Sequence, residues 1–510
     1  MSRSIPVPSI AVQKTDAGGR GSARAAMVYA PALVAGLAIR LWMLKDLFEA
    51  NGDTLLYGDL AKNLLLHGRY AYAFGVGGPL QATLIRLPGY PLFLALCFRL
   101  FGVGNYLAAA YVQIAFELLG CLLLADFARR VAPVGIKSGA ALATLWLAAL
   151  CPFTASYTVL PLTETPTLFA LALAMWAMAR FYEKPNWPNA LCFTFAVSYA
   201  ALLRPDGALA AVAFAPAMVA GLARSGLPPG SMQRRRLARM AAVCVFLALV
   251  PFAAWAWRNW RVFHVFEPLA PRYANDPGER TYPGWERWYR TWSLDFVSTY
   301  QIYWIVPGGP FDVTALPSRA FDSAAQRAKT EALADDYEAG GEEISPALDA
   351  RFGALARARI RAHPLRYYVW LPLGRLADMI LRPRVENLNI DLDWWVYAHH
   401  HDETRLSWAL AALNLFYLLL GIAGLCLRPR FWQALLAYLV LRCALLLTVG
   451  APEARYTLEF FPILFACGGI AAAAAAQRIL RKRRGSKSAG SESTGSAVRG
   501  EAPGAAAIDC

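Results

Sequence analysis

Asn51 to Tyr70 reads N-G-D-T-L-L-Y-G-D-L-A-K-N-L-L-L-H-G-R-Y, and Thr83 to Ala95 reads T-L-I-R-L-P-G-Y-P-L-F-L-A. The stretch follows the first long apolar segment and is too polar and too patterned for a passive connection. Asp53 opens a short amphipathic segment that Gly68 ends, as helix start and stop signals do. Asp53 and Tyr57 stand at i and i+4, so they share a face with Leu60, Ala61 and Leu64. Asp59 falls on another face and reads as solvated. After a Gly-rich run, Pro88 and Pro91 fix the backbone and Gly89 permits a sharp turn. Arg86 is thereby held beside the next helix start.

Outward from this stretch the chain is apolar. Of its 510 residues, 57% are hydrophobic and only 17% charged. Soluble domains lie near a quarter charged, so the balance points to a membrane. The net charge of +15 gathers at the ends of apolar runs, as orientation signals do, and does not indicate nucleic acid. Eight cysteines (Cys97, Cys121, Cys151, Cys192, Cys244, Cys426, Cys443, Cys467) lie in or beside apolar segments, and Cys510 is the last residue. That distribution suits helix packing, not a disulfide framework or a thiolate site.

The expected architecture is an all-α polytopic membrane protein of roughly ten to twelve helices. Residues 1–26 read as a disordered cytoplasmic tail, 27–257 as a transmembrane module with outer loop 45–89, 258–405 as a long outer loop region, 406–480 as C-terminal transmembrane helices and 481–510 as a second disordered tail. Crossings are expected at 27–44, 106–127, 138–151, 164–180, 188–203, 208–223, 240–257, 406–427, 431–449 and 456–476. Residues 90–101 are too short for a clear crossing, and 364–381 read as lying on the outer surface. This arrangement puts Lys or Arg in every inner loop, consistent with the positive-inside rule. Asp53, Arg86, Glu164, Arg204, Arg258 and Arg455 then share the outer side.

Each of these residues has a plain structural reading beside a functional one. Asp53 is either a helix N-cap or a carboxylate able to deprotonate an acceptor hydroxyl. Glu164, in L-P-L-T-E-T-P-T, is a first-turn acid with Thr163 as cap, or a second acidic wall of a site. Arg86 suits either lipid headgroups or a phosphate at a helix start. Singly, Arg204, Arg258 and Arg455 read as interfacial anchors. Together they form a phosphate clamp, with Tyr57, Tyr90 and Tyr456 beside them. Gln113 and Glu117 read as a buried polar pair bonding a neighbouring helix. The aromatic group Trp285, Trp288, Tyr289 and Trp292 reads as an interfacial marker. No motif requires a cofactor. A divalent metal at His399-His400-His401-Asp402, with Asp391 and Asp393 upstream, stays open.

Asp53 with Tyr57 and Ala61, R-L-P-G-Y-P-L-F-L-A, Pro152 and Tyr157 before L-T-E-T, L-L-R-P-D-G, W-R-N-W and E-A-R-Y before Phe461-Pro462 occur in that order. In these motifs the chain resembles bacterial GT-C integral-membrane glycosyltransferases of the protein-mannosyltransferase-like and lipid A aminoarabinose transferase-like group (glycosyltransferase family 39-type). The resemblance covers 29–260 and returns at 451–465. It implies a polyprenyl-phosphate-linked sugar donor, a glycan, lipid or protein acceptor, inversion at the anomeric carbon, and a multi-pass position in the bacterial inner membrane with the site facing the periplasm. By matching position it makes Asp53 the base of the first outer loop, Arg86 a donor-phosphate ligand and Glu164 a second acid. The chain departs from some relatives in having a single acid there, and 278–361 matches no known pattern. A polysaccharide polymerase or ligase, or a lipid-glycan flippase, is the alternative.

Overall fold

The computed structural model describes residues 17–73, 78–223, 231–388, 390–392 and 400–495. From the N-terminal side, α1 (Ala17–Leu47) and α2 (Asp53–His67) precede a small hairpin, β1 (Ala71–Ala73) and β2 (Leu80–Ala82). Then come α3 (Gly89–Phe101), α4 (Tyr106–Val131), α5 (Lys137–Ala149), α6 (Pro152–Thr158), α7 (Glu164–Glu183), α8 (Trp187–Leu203), α9 (Ala208–Ala223) and α10 (Met232–Phe263). The outer region holds α11 (Pro283–Arg290), α12 (Phe296–Ser298), α13 (Ala324–Ala339), α14 (Pro346–Ala362) and α15 (Leu371–Leu381). The last helices are α16 (His401–Cys426), α17 (Trp432–Leu446) and α18 (Phe461–Gly495). The chain is thus an all-α polytopic protein with one two-stranded ribbon among its described residues.

Among the described residues, five helical segments are long and apolar enough to cross a bilayer: Met27–Leu47, Tyr106–Val131, Met232–Phe263, His401–Cys426 and Ala454–Arg483. A sixth forms if α5 and α6, bent by 54°, count as one broken span. The other apolar helices are shorter, Gly89–Phe101, Trp187–Leu203, Pro205–Ala220 and Trp432–Leu446. The order of apolar helices follows the sequence reading, but several ends move. Helix α1 begins at Ala17 and α18 runs to Gly495, both inside stretches expected to be disordered. Arg234-Arg235-Arg236 forms the first turn of α10, where Ser231 caps Arg234 N. Arg is a good helix former, so a basic run extends the helix.

The core lies where α18, α5, α16, α4 and α7 meet. Close packing depends on small residues: a Cβ on Gly424 would lie 1.8 Å from the Cys467 carbonyl oxygen, so α16 and α18 touch backbone to backbone. Two buried polar side chains of the bundle show how pairing is met away from water. Arg40 of α1 pairs with Glu117 of α4 and also donates to Ala149 O at 2.7 Å. Gln113 donates to Thr158 O and Leu160 O, at 2.9 and 2.7 Å. The two residues of the expected polar pair thus each serve a neighbouring segment.

The outer region has its own core. Trp285, Trp288, Tyr289 and Trp292 are buried with Phe311, Tyr337 and Phe352 between α11, α13 and α14. They are not an interfacial belt. Their spacing of three, four and seven places them on one helix face, which is a core pattern. Helix α15 is tied to this unit: Arg375 donates to Arg290 O and Asp378 accepts from Phe296 N, at 3.3 and 3.2 Å. At 11 residues it is too short to span.

Candidate functional site

Four connections converge at one end of the bundle. Asp53 is the first residue of α2, Glu164 the first of α7, Arg204 joins α8 to α9, and a 3-10 turn, Ala454–Phe460, leads into α18. Thr54 holds the first two together by donating to Pro161 O at 3.2 Å. Arg384 fixes the last by donating to Ala454 O at 2.8 Å and to Thr457. Gly89 lets α3 start against the end of α8, since a Cβ there would lie 2.5 Å from Leu202 O.

Arg86 is set by the hairpin. The strands pair antiparallel, Ala71 with Ala82 and Ala73 with Leu80. Asp59 accepts from Ala73 N at 2.7 Å, so it anchors β1 rather than facing solvent. Asp276 accepts from Leu84 N at 2.7 Å, and the Tyr70 hydroxyl donates to Arg86 O at 3.0 Å. Arg258 belongs to this scaffold and not to the charge cluster. Its guanidinium donates to Thr83 O and Tyr70 O, both at 2.7 Å, and lies over the Tyr70 and Trp255 rings.

The remaining charges form one network. Arg86 Nη2 donates to Asp53 Oδ1 at 2.8 Å, and Arg455 Nη2 lies 3.6 Å from Asp53 Oδ2. Arg455 also reaches Glu453 at 2.5 Å and Glu164 at 3.8 Å. Glu164 lies 3.3 Å from Arg204, which faces Asp206 at 3.5 Å and Glu459 at 3.6 Å. Arg442 completes the set at 2.8 Å from Glu459, with Asp206 as its second partner. Five carboxylates therefore face four guanidiniums. An incoming phosphate has to compete for donors that carboxylates already hold.

The network divides by exposure. The side chains of Asp53, Arg86 and Arg455 are 32%, 26% and 22% exposed, against 3% for Glu164, 5% for Glu459 and none for Arg442. Arg204 and Asp206, at 17% and 15%, lie between, and Asp53, Arg86 and Arg455 are the most open to a ligand. The N-cap reading of Asp53 fails: Gly52 occupies the cap position and α2 has no side-chain cap bond. Thr163 likewise makes no cap bond at α7. Burial acts to raise the Asp53 pKa, but the Arg86 and Arg455 guanidiniums outweigh it and hold the carboxyl below the ordinary 3.8. Burial pushes the Tyr57 hydroxyl up to about 12, so it stays a proton donor. Arg86 lies over the Tyr57 ring at 5.9 Å.

Two tyrosines are committed elsewhere. Tyr90 is fully buried, donates to Gln113 at 2.8 Å and meets Tyr57 edge to face at 5.1 Å. It supports Tyr57 from the core. Tyr456 donates to Glu453 at 2.5 Å, and its ring lies under Arg204 at 5.3 Å. Glu453, Glu459, Asp206 and Arg384 escaped the sequence reading. Charged residues beside an apolar helix are a signal in themselves, and Glu453 and Glu459 stood in the E-A-R-Y-T-L-E-F run.

Among the described residues no group of three or more His, Cys, Asp and Glu side chains is arranged to hold a metal ion. His400 Nδ1 lies 3.5 Å from Glu403, and His399 and Asp393 fall outside the described residues. Beside Arg455 and Glu453 opens a cavity of about 400 Å³ whose wall includes Tyr157, Tyr300, Trp304 and Glu386.

Comparison with solved structures gives low-identity matches. The archaeal oligosaccharyltransferase AglB from Archaeoglobus fulgidus, in complex with an inhibitory peptide and a dolichol-phosphate, matches at 13% identity and TM-score 0.46, over 91% of this chain and 51% of that one. The A. fulgidus oligosaccharyltransferase complex with Zn and sulfate matches at 12% and 0.47, over 89% and 50%. The chain spans about half the length of these proteins. A comparison with curated proteins gives no match. Residues 86–257, about a third of the chain, match the model of the dolichyl-phosphate-mannose-protein mannosyltransferase family. The similarity that the motifs carry and the family model agree: this chain is a polytopic helical membrane protein similar to the GT-C glycosyltransferases, with that family's signature in residues 86–257.

Proposed function

We propose that the protein transfers a sugar from a polyprenyl-phosphate carrier to an acceptor hydroxyl, with inversion, on the periplasmic face of the bacterial inner membrane. The observation that carries this reading is the partly exposed triad in which Asp53 lies between Arg86 and Arg455, with Arg455 also lining a cavity. The acceptor oxygen forms a bond to the anomeric carbon from the face opposite the phosphate. The carbon–oxygen bond to phosphate breaks, and its electron pair leaves with the phosphate. The hydroxyl proton passes to Asp53.

Arg86 and Arg455 are suited to the charge that develops on the leaving phosphate. Held by both guanidiniums, Asp53 is a weak base. A donor phosphate that draws these donors away raises its basicity, so donor binding prepares the base. Glu164 and Arg204 keep Arg455 and Tyr456 in position from beneath. Tyr57, protonated and next to Arg86, is placed to donate to a phosphate oxygen.

The test is Asp53→Asn in purified full-length protein, assayed with a polyprenyl-phosphate sugar. Transfer should fall at least about a hundredfold, with membrane insertion and thermal unfolding retained. Wild-type transfer in this variant removes Asp53 from the role of base.

A further inference from the structure

The cavity beside Arg455 has a chemistry of its own. Trp304 and Tyr300, each about half exposed, offer ring faces from the turn that follows α12. They meet edge to face at 5.7 Å, so the two faces are not parallel and form a corner. Glu386, Asn387 and Asp391 line the same cavity. Glu386 Oε1 accepts from the Tyr157 hydroxyl at 3.1 Å, which orients the carboxylate. Its other oxygen, Oε2, is buried and has no hydrogen-bond partner, and Asn387 Nδ2 is in the same condition. A carboxylate accepts hydrogen bonds only, whereas an amide nitrogen donates them. Leaving such groups buried and unpaired costs free energy that a ligand recovers.

We propose that this cavity is the acceptor subsite and that the acceptor is a saccharide with neutral or cationic rings. The inference rests on the glycosyl-transfer reading above and gives that reaction its second substrate class. A sugar ring has an apolar C–H face and an edge of hydroxyls. The face stacks on Trp304 or Tyr300, while the hydroxyls donate to Glu386 and Asp391 and accept from Asn387. Arg455 lines the same cavity and lies 3.6 Å from Asp53, so a ring seated there brings a hydroxyl next to the base. An anionic acceptor is disfavoured, because Glu386, Asp391 and Glu453 line the cavity. A volume of about 400 Å³ falls in the range of small-molecule sites.

The experiment uses the full chain in detergent and saturation-transfer NMR with methyl glycosides of glucose, galactose, mannose and glucosamine. At least one should bind. Binding should weaken on the order of tenfold in Glu386→Gln, which removes one charge-assisted hydrogen bond, and also in Trp304→Ala, at an exposed position where folding is not at stake. Asp53→Asn should keep glycoside binding while losing transfer. Three results overturn the proposal: no glycoside binds, binding is untouched by both cavity variants, or glycerol phosphate binds in preference to all four sugars. Failure of the underlying reading is separate: it is seen as full transfer by Asp53→Asn, whatever the glycosides do.

Discussion

The outer rim and the buried base of the charge network are built from the same residue types, yet their physics differs. At the rim, Asp53, Arg86 and Arg455 keep between a fifth and a third of their side-chain surface in contact with solvent. At the base, Arg442 has none, and Glu164 and Glu459 have almost none. A rim pair is screened and exchanges partners at small cost. A base pair cannot lose one partner without stranding a charge away from water. The base therefore acts as a rigid mount, and the rim is the part able to rearrange around a ligand. Glu164, expected from its motif to be a second catalytic acid, falls on the mount side of this division.

The largest contrast should come from removing one charge on each side. Arg442→Leu leaves Asp206 and Glu459 with Arg204 as their one remaining cation in this network, and should destabilise by up to about 3–5 kcal/mol. It should be read as a marked fall in the thermal unfolding midpoint in detergent. Asp53→Asn should leave that midpoint nearly unchanged while abolishing transfer. Equal unfolding midpoints for the two variants would erase the distinction between mount and rim.

A second difference is legible through pH. The Asp53 carboxyl is held below 3.8 by its two guanidiniums against a burial effect of opposite sign. Its charged form is thus present above the ordinary carboxylate range and is lost only as pH falls below it. The acid limb of kcat/KM in the wild type should therefore lie below pH 3.8, so far as Asp53 sets it. Arg455→Gln takes away one of the two cations and leaves the burial, so the limb should move to higher pH. Arg86→Gln, which also removes a direct hydrogen bond, should move it the same way. An acid limb in both variants unchanged from the wild type would show that Asp53 does not set it.

What the sequence made readable follows from the range of the interactions involved. The succession of apolar helices was legible because each rests on a local run of hydrophobic residues. Asp53, Arg86, Glu164, Arg204 and Arg455 were legible as one group because each stands at an end of an apolar run away from the basic loops. Their partners were not. Asp206 meets Arg442 across more than two hundred positions of chain, and no local spacing encodes that meeting. Arg258 was misplaced for a related reason. At a membrane exit, an Arg that binds a ligand and an Arg that pins a hairpin through two backbone carbonyls have the same sequence surroundings. Tyr90 shares a motif with Arg86 but points into the core, because it belongs to α3 while Arg86 lies in the segment before that helix. The tryptophans of α11 were the opposite case: their helical spacing was present and outweighed by the expectation that Trp marks an interface.

The smallest expected effect sharpens the comparison most, because it asks whether the rim pair is worth anything to the fold. Asp53 and Arg86 meet at 2.8 Å, yet both remain partly in water. The pair gains Coulomb energy in a high effective dielectric and loses the freedom of a long side chain, so the net coupling should be under about 1 kcal/mol. A double-mutant cycle of Asp53→Asn and Arg86→Gln, followed by unfolding in detergent, measures it directly. A small value means the pair is held together by the scaffold beneath it, by Thr54 on Pro161 and Tyr70 on Arg86 O, and not by its own attraction. That is the condition under which a phosphate can draw Arg86 away from Asp53 without disturbing the fold. A coupling of several kcal/mol would mean that the rim is as rigid as the mount. The partner exchange that readies Asp53 as a base would then be too costly to occur.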